Sequence, residues 1–367
     1  MLYPDYFRDH NLYSLASGIA NFLNVKRGRG RPVELGGRRL VLLLFDGLGW
    51  STLQKSGFVP PSGSTLEKFT TVFPSTTSTV LTTLFTAQTP GEHGVLGYTS
   101  FSRKIGSTVI PIKYTFSGLG ERDSLKEIGP FEGLFPGVKP YIWETQAKVA
   151  SVLPKGMESS SFINTVLRGA TIRTSSNFWD SFESLDSLLS AQDRYDFIYV
   201  YLSEVDFLSH KYGPTSWAAL SSSRELLEAT ARMAERHRDY SFVVTADHGH
   251  VDSKRVFLNR DQNLLDMLDL PPYGDSRAIF MKSRREVGVY VKEKYPQLTL
   301  FGPDSFDSLF GGVWERKDMP DLVAVPKDES AFIFSPKLRD PEYEALRGHH
   351  GGLLPDELEI PVLKLNL

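Results

Sequence analysis

Three apolar runs in this chain lead into a carboxylate. LVLLLF (40–45) is followed by Asp46, FIYVYL (197–202) by Asp206 after a short turn, and SFVVT (241–245) by Ala246 and Asp247. Two of these turns add an imidazole, His210 four residues after Asp206 and His248 directly after Asp247. A fourth cluster, GHHGG at 348–352, supplies His349 and His350. Aspartate and histidine without thiols make a donor set for one or two divalent ions; zinc accepts both readily, and manganese is the second candidate. Taken singly, each piece has a plain structural explanation: a helix cap, a surface pair, a turn, a glycine loop. Their joint occurrence at three strand ends of one chain favours a metal site.

A second chemical feature is a run of hydroxyls. Between Thr70 and Thr89, nine of twenty residues are threonine. Threonine is a mediocre helix former because its branched β-carbon loses rotamer freedom against the preceding turn. Pro74 precedes a short predicted helix and Pro90-Gly91 ends it, which places Thr76 and Thr77 in its first turn. A helix N-terminus presents unpaired N–H groups and the positive end of a dipole, a setting suited to phosphate. A hydroxyl there, activated by a metal on its oxygen, can serve as a nucleophile.

The elements that must position these groups follow from periodicity. Leu12, Leu15, Ile19, Phe22 and Leu23 recur at helical spacing, with Gly28 beyond the end of the pattern. The unbroken apolar runs read as strands buried on both faces of a parallel sheet. Thr215 to Glu235 reads as a helix with Trp217, Leu220, Leu227, Ala231 and Ala234 on its inner face. Alternation of strand, polar turn and helix predicts an α/β fold, a doubly wound and mostly parallel sheet flanked by helices. In such sheets ligands bind beyond the carboxyl ends of the strands, where the carboxylates above would meet. Residues 1–367 are expected to form a single catalytic domain. The Gly-, Pro- and aromatic-rich stretch 99–190 is expected to be a cap insertion, and 275–345 a second one, with RAIFM, LVAV and AFIF as strands.

Composition excludes several alternatives. The net charge of -3 gives no global attraction to nucleic acid or anionic lipid. The basic run Lys26 to Arg31 reads as a solvated linker. The absence of cysteine excludes disulfides and thiolate metal sites. No apolar run reaches the length of a membrane span, and the N-terminus lacks the pattern of a signal peptide, so the expected compartment is the cytoplasm.

In this order along the chain, LFDGLGW (44–50), FPSTTSTVLTTLFTAQTPGEHG (73–94), SEVDFLSH (203–210), VVTADHGH (243–250) and GHHGGL (348–353) resemble the alkaline phosphatase superfamily. The resemblance is strongest to its type I phosphodiesterase/nucleotide pyrophosphatase branch. It implies two metal ions, one held by Asp46, Asp247, His248 and the oxygen of a threonine nucleophile, the other by Asp206, His210 and a histidine of GHHGG. By the family pattern the nucleophile falls on Thr77 rather than Thr76, and the last ligand on His350, which directly precedes a glycine, rather than His349. The implied activity is hydrolysis of a phosphodiester or nucleotide pyrophosphate through a phospho- or nucleotidyl-threonine, on a small-molecule substrate. Alternatives are a phosphomonoesterase, phosphonate hydrolase or phosphomutase of the same superfamily, or a non-catalytic relative that binds a phosphorylated ligand. Where the diesterases carry an asparagine that hydrogen-bonds the phosphoryl oxygen, Tyr98 stands here, and a phenol can donate one such bond. His93 reads as a turn-packing histidine. His250 and Asp252 read either as partners orienting a ligand or as turn residues, and Arg347 as a helix cap or a phosphate clamp.

Overall fold

In a computed structural model, all residues are described except 9, 119, 284, 313–317 and 336–340; the last two segments lie inside the 275–345 stretch. The centre of the molecule is a seven-stranded sheet. Its strands are β1 (Leu40–Phe45), β2 (Thr65–Thr70), β3 (Val149–Pro154), β4 (Thr171–Ser175), β5 (Phe197–Leu202), β6 (Ser241–Thr245) and β7 (Glu359–Leu365), in the spatial order β2–β7–β6–β1–β5–β3–β4. β1 pairs in parallel with both β5 and β6, and β3 with β5 and β4, while β7 runs antiparallel between β6 and β2. The expected mostly parallel α/β sheet is therefore present.

The three strands whose ends carry the carboxylates are immediate neighbours at the middle of the sheet. Every residue of β1, β5 and β6 is buried. Unbroken apolar sequence can bury both faces, and only a central strand offers both. Neighbouring strands lie about 4.8 Å apart, so side chains just beyond three adjacent carboxyl ends reach a common space.

Helices cover the faces. α1 (Leu12–Phe22) starts at Asn11, whose side chain accepts from Ser14 N at 2.7 Å. α2 (Thr77–Thr86) and α3 (Glu204–Tyr212) follow β2 and β5, and α4 (Trp217–Arg236) leads to β6. The inner face of α4 differs from the expected one. Ala219, Ser223, Leu226, Leu227, Thr230, Met233 and Ala234 are buried, whereas Trp217 is 83% exposed. The stripe that packs begins two residues later, and Trp217 stands at the first helical position, outside it.

The stretch 99–190 divides in two, which corrects the expectation of one insertion. Ser100–Ser102, Ser107–Ile110 and Thr115–Phe116 form a small antiparallel sheet outside the core, but β3 and β4 belong to the central sheet. β4 (TIRTS) is an edge strand with mostly exposed side chains, so it lacks the apolar run by which the other strands announce themselves. Ala278–Met281 and Leu322–Pro326 join Tyr273–Asp275 and Leu298–Phe301 in a four-stranded antiparallel sheet with apolar clusters of its own. Ser330–Ile333 instead pairs with Lys254–Phe257. Among the described residues no helix is long and apolar enough to cross a membrane.

His93 is buried, as a packing residue would be. Its Nδ1 accepts from Val95 N–H at 3.1 Å, which leaves Nε2–H to donate to Thr83 Oγ1 at 3.0 Å. Burial lowers its pKa to about 3. The unfolded chain, with histidine near 6.5, therefore binds a proton that the fold excludes until about pH 3. Stability from this residue is present above pH 6.5 and lost as pH falls, by up to about 1.4 kcal/mol per pH unit. Urea unfolding of wild type and His93→Gln between pH 7 and pH 4 should show the variant's stability falling less steeply by that amount; parallel curves would refute this.

Candidate active site

The threonine-rich segment resolves into one distinctive hydroxyl. Thr76 is the N-cap of α2 and Thr77 its first residue; Thr77 alone in this helix is not fully buried. The other hydroxyls have structural duties. Thr82 and Thr86 donate to the carbonyls of Ser78 and Thr82, Thr83 receives His93, Thr79 accepts from Gly97 N, and Thr89 donates to Gly311 O. Thr77 Oγ1 instead lies 3.3 Å from His248 Nε2. The helix ends at Ala87 in the left-handed conformation (φ 49°), and Pro90 begins a separate short helix, Pro90–His93, rather than ending this one.

The sequence-predicted metal residues are brought together. His248 Nε2 is 3.5 Å from Asp46 Oδ1 and 3.3 Å from Asp247 Oδ2. His210 Nε2 is 3.2 Å from Asp206 Oδ1, one helical turn along α3. Donor atoms of Asp46, Asp206 and His248 all lie within 4.8 Å of one another, as do those of Asp206, His210, His250 and His350. His349 is also buried, paired along the backbone with Val251, and neither of its ring nitrogens has a hydrogen-bond partner.

The hydrogen bonds behind the site decide what it presents. His210 Nδ1 lies 2.7 Å from Gly348 O, His350 Nδ1 2.9 Å from Ser75 O, and His248 Nδ1 3.2 Å from Gly249 O. A carbonyl accepts only, so each Nδ1 carries the proton and, in a neutral ring, each Nε2 keeps its lone pair. These lone pairs face Asp46 Oδ1, Asp206 Oδ1 and Asp247 Oδ2, three buried carboxylate oxygens without a hydrogen-bond partner. Lone pairs facing carboxylates repel unless a cation stands between them. The donor set and its orphaned oxygens therefore fit divalent metal ions.

Electrostatics reflects the crowding. Burial, with Asp206 and Asp247 adding repulsion, pushes Asp46 well above the usual carboxylate range. Burial carries Asp247 to about 6. Burial would raise Asp206 too, but His210 and His250 outweigh it and hold the carboxyl well below its ordinary value. His210 is the counterpart: burial lowers it, Asp206 outweighs that, and it rises to about 9. Burial lowers His248, brings His350 to about 4 and His349 to about 3.

Several residues of the site were not singled out from sequence. Tyr201, on β5, donates its phenol to Asp46 Oδ2. Asp275 packs against Gly351, whose positive φ (114°) carries the loop past the carboxylate; a β-carbon there would meet Asp275 Cγ at 2.9 Å. Glu357 holds the GHHGG loop: it accepts from Gly352 N and Leu354 N and forms a fully buried bidentate pair with Arg277. Its main-chain oxygen also receives Gly249 N at 2.9 Å, which binds the turn after β6 to the same residue. An isolated Glu or Arg gives no spacing signal; only the fold shows this pair. Arg347 pairs with Asp252 at 2.6 Å on the exposed side of the loop. Tyr98, together with Lys113, Phe116, Asp275, Ile279 and Phe332, lines a cavity of about 370 Å³ beside the site.

The model of the type I phosphodiesterase / nucleotide pyrophosphatase family matches residues 40–353. Comparison with curated proteins gives no match. Among solved structures, an inactive form of murine ectonucleotide pyrophosphatase/phosphodiesterase 5 in complex with AMP superposes with a TM-score of 0.65 at 16% identity, over 89% of this chain and 87% of that one. The human protein of the same name gives 0.63 at 15% identity, covering 90% of each chain. Phosphonoacetate hydrolase from Sinorhizobium meliloti, in complex with phosphonoformate, gives 0.62 at 17% identity, over 89% and 90%. At these identities the likeness is one of fold.

Replacing Glu357 by Gln removes the charge opposite buried Arg277 and turns into an amide nitrogen one of the two oxygens that accept from Gly352 N and Leu354 N, one each. The expected loss is about 3–5 kcal/mol of unfolding free energy, the cost of breaking a buried pair on one side. Urea denaturation measures it, and a loss below about 1 kcal/mol would show that the pair does not hold the loop.

Proposed function

The chain belongs to the type I phosphodiesterase / nucleotide pyrophosphatase family, and from that premise we propose a two-metal phosphoesterase that cleaves a phosphodiester or nucleotide pyrophosphate through a covalent threonine intermediate. The observation that carries this is the position of Thr77 Oγ1, at the first residue of a helix and 3.3 Å from His248 Nε2. It faces the cluster of orphaned carboxylates. Asp46, Asp247, His248 and the Thr77 oxygen would hold one ion, and Asp206, His210 and His350 the other. Two divalent ions, zinc ahead of manganese for this donor set, would acidify the Thr77 hydroxyl and neutralise the phosphoryl oxygens when bound.

The chain's own residues supply the rest. The Thr77 oxygen attacks phosphorus in line with the leaving oxygen, forming a phosphothreonine or nucleotidyl-threonine that water then hydrolyses. The first N–H groups of α2 have no partners within the helix and point their dipole at the phosphoryl oxygens. Tyr201 keeps Asp46 oriented through its phenol. Tyr98 donates one hydrogen bond from the cavity wall to the phosphoryl group. The four-stranded sheet and the small three-stranded sheet are the elaborations that meet the rest of the substrate.

A second activity within the superfamily, phosphonate or monoester hydrolysis, is favoured by one observation: a phenol, not an amide, occupies position 98. The metal-reconstituted protein should therefore be assayed on bis-p-nitrophenyl phosphate and p-nitrophenyl phosphate. The diester is expected to be the faster substrate, Thr77→Ala to lose at least about 10³-fold in kcat, and Thr77→Ser to retain measurable turnover. Preference for the monoester would transfer the assignment to the second activity, and an active Thr77→Ala would remove the covalent step.

A further inference from the structure

His250 stands two residues beyond His248, in ADHGH. Its side chain is wholly buried, yet neither ring nitrogen makes a well-aligned hydrogen bond. Nε2 lies 3.1 Å from Asp206 Oδ1, but without the alignment of a hydrogen bond, and Asp206 Oδ1 is itself without a partner. The ring stands nearly perpendicular to those of His210 and His350, with centroids 4.8 and 5.0 Å away. Rings so arranged do not stack on one another. The donor atoms of Asp206, His210, His250 and His350 are all within 4.8 Å of one another.

The backbone makes room for this ring. At Gly47 (φ 76°) a β-carbon would come within 2.7 Å of His250 Cε1 and 2.8 Å of Asp206 Cα. A histidine that merely filled space would be replaceable by an apolar side chain at no polar cost. One that oriented Asp206 would share an aligned hydrogen bond with it. His250 does not. His349 is buried and unpaired as well, but only His250 has a donor atom grouped with those of Asp206, His210 and His350, and a cation among these atoms explains its unpaired imidazole.

We propose that His250 is a fourth protein ligand of the ion held by Asp206, His210 and His350; this rests on the two-metal reading above. That ion would then have three nitrogens and one oxygen from the protein, donors that zinc accepts, with a phosphoryl oxygen as a fifth ligand in the proposed reaction. The partner set of Asp46, Asp247, His248 and Thr77 has one nitrogen and three oxygens. Imidazole-rich sites favour zinc, cobalt and nickel, and oxygen-rich sites are less selective. The two ions therefore load in order: the Asp206 position fills first and tightly, the Thr77 position second and more weakly.

The test is titration of metal-stripped protein with Zn²⁺ against a competing chromogenic chelator, with X-ray absorption spectra after the first equivalent. Wild type should bind two ions in steps at least about tenfold apart, with three imidazoles around the first. His250→Ala and His250→Gln should weaken the first step roughly 10- to 100-fold, lower its imidazole count to two and leave the second step unchanged. The wild-type spectrum needs no variant: two imidazoles, or one, at the first equivalent would overturn the assignment. If wild type binds two ions and both variants match it, His250 alone is excluded as a ligand. If wild type binds no zinc, the two-metal reading fails and this assignment with it.

Discussion

Mutual repulsion of three crowded carboxylates, Asp46 and Asp247 buried and Asp206 half-buried, is the constraint on which this architecture turns. Asp46 and Asp206 offer oxygens within 4.8 Å of each other. At an effective dielectric of 20, two such charges repel by about 3.5 kcal/mol, and Asp247 adds to this. Two of the surrounding imidazoles do not cancel it, because His248 and His350 turn their N–H groups outward to main-chain carbonyls and lone pairs inward. His210, raised to about 9 by Asp206, can carry one compensating proton. The raised Asp46 and Asp247 register the same crowding: a divalent ion among these oxygens would take the place of the protons they otherwise hold. A fold that gathers such groups must hold them by force, and the rest of the structure shows where the force comes from.

It comes from the middle of the sheet and from backbone packed on backbone. β5, β1 and β6 are adjacent, buried and parallel, so their carboxyl ends cannot move apart without breaking two ladders. The turns beyond them are pressed together: a β-carbon at Gly49 would meet Gly249 Cα at 2.7 Å, and one at Gly249 would meet Asp356 O at 2.1 Å. Glu357 then fastens the GHHGG loop to the ADHGH turn from behind, through side chain and main chain at once. Ser75 closes the circle, since its carbonyl receives His350 and its hydroxyl and Gly351 N bond each other. The segment carrying Thr77 is in this way tied to the loop carrying His350.

What the sequence could disclose followed from chemistry that repeats locally. Apolar runs ending in Asp marked β1, β5 and β6, and Asp206 and His210 one helical turn apart were visible as a pair. The hydroxyl run was visible too, but not its division of labour, because which threonine bonds which carbonyl depends on where the helix begins and what packs on it. The central-sheet membership of β4 was hidden because an edge strand buries too little to need apolar residues. Tyr201, Asp275 and the Arg277–Glu357 pair were hidden for a different reason. Each acts on a partner far along the chain, and no spacing rule reaches across 80 residues from Arg277 to Glu357. His250 was seen and left between two roles, since its neighbours on Asp206 and Gly47 belong to other strand ends.

The same division explains how one sheet end can serve relatives with different substrates. The carboxylates, imidazoles and Thr77 are held by the central sheet and its turns, which repulsion and close glycine contacts leave little freedom to vary. The cavity beside them is walled by other material: Tyr98, Lys113 and Phe116 come from in and around the small three-stranded sheet, and Asp275 and Ile279 from the four-stranded one. These two sheets meet where Thr99 N donates to Gly274 O and Gly274 N to Thr99 Oγ1. A change of length or register in either would reshape the cavity without touching a carboxylate. On the proposed function, phosphoryl chemistry and recognition of the substituents would be carried by separate parts of the chain, joined at a few main-chain contacts. That separation would let the motifs define the family while the walls of the cavity select the substrate.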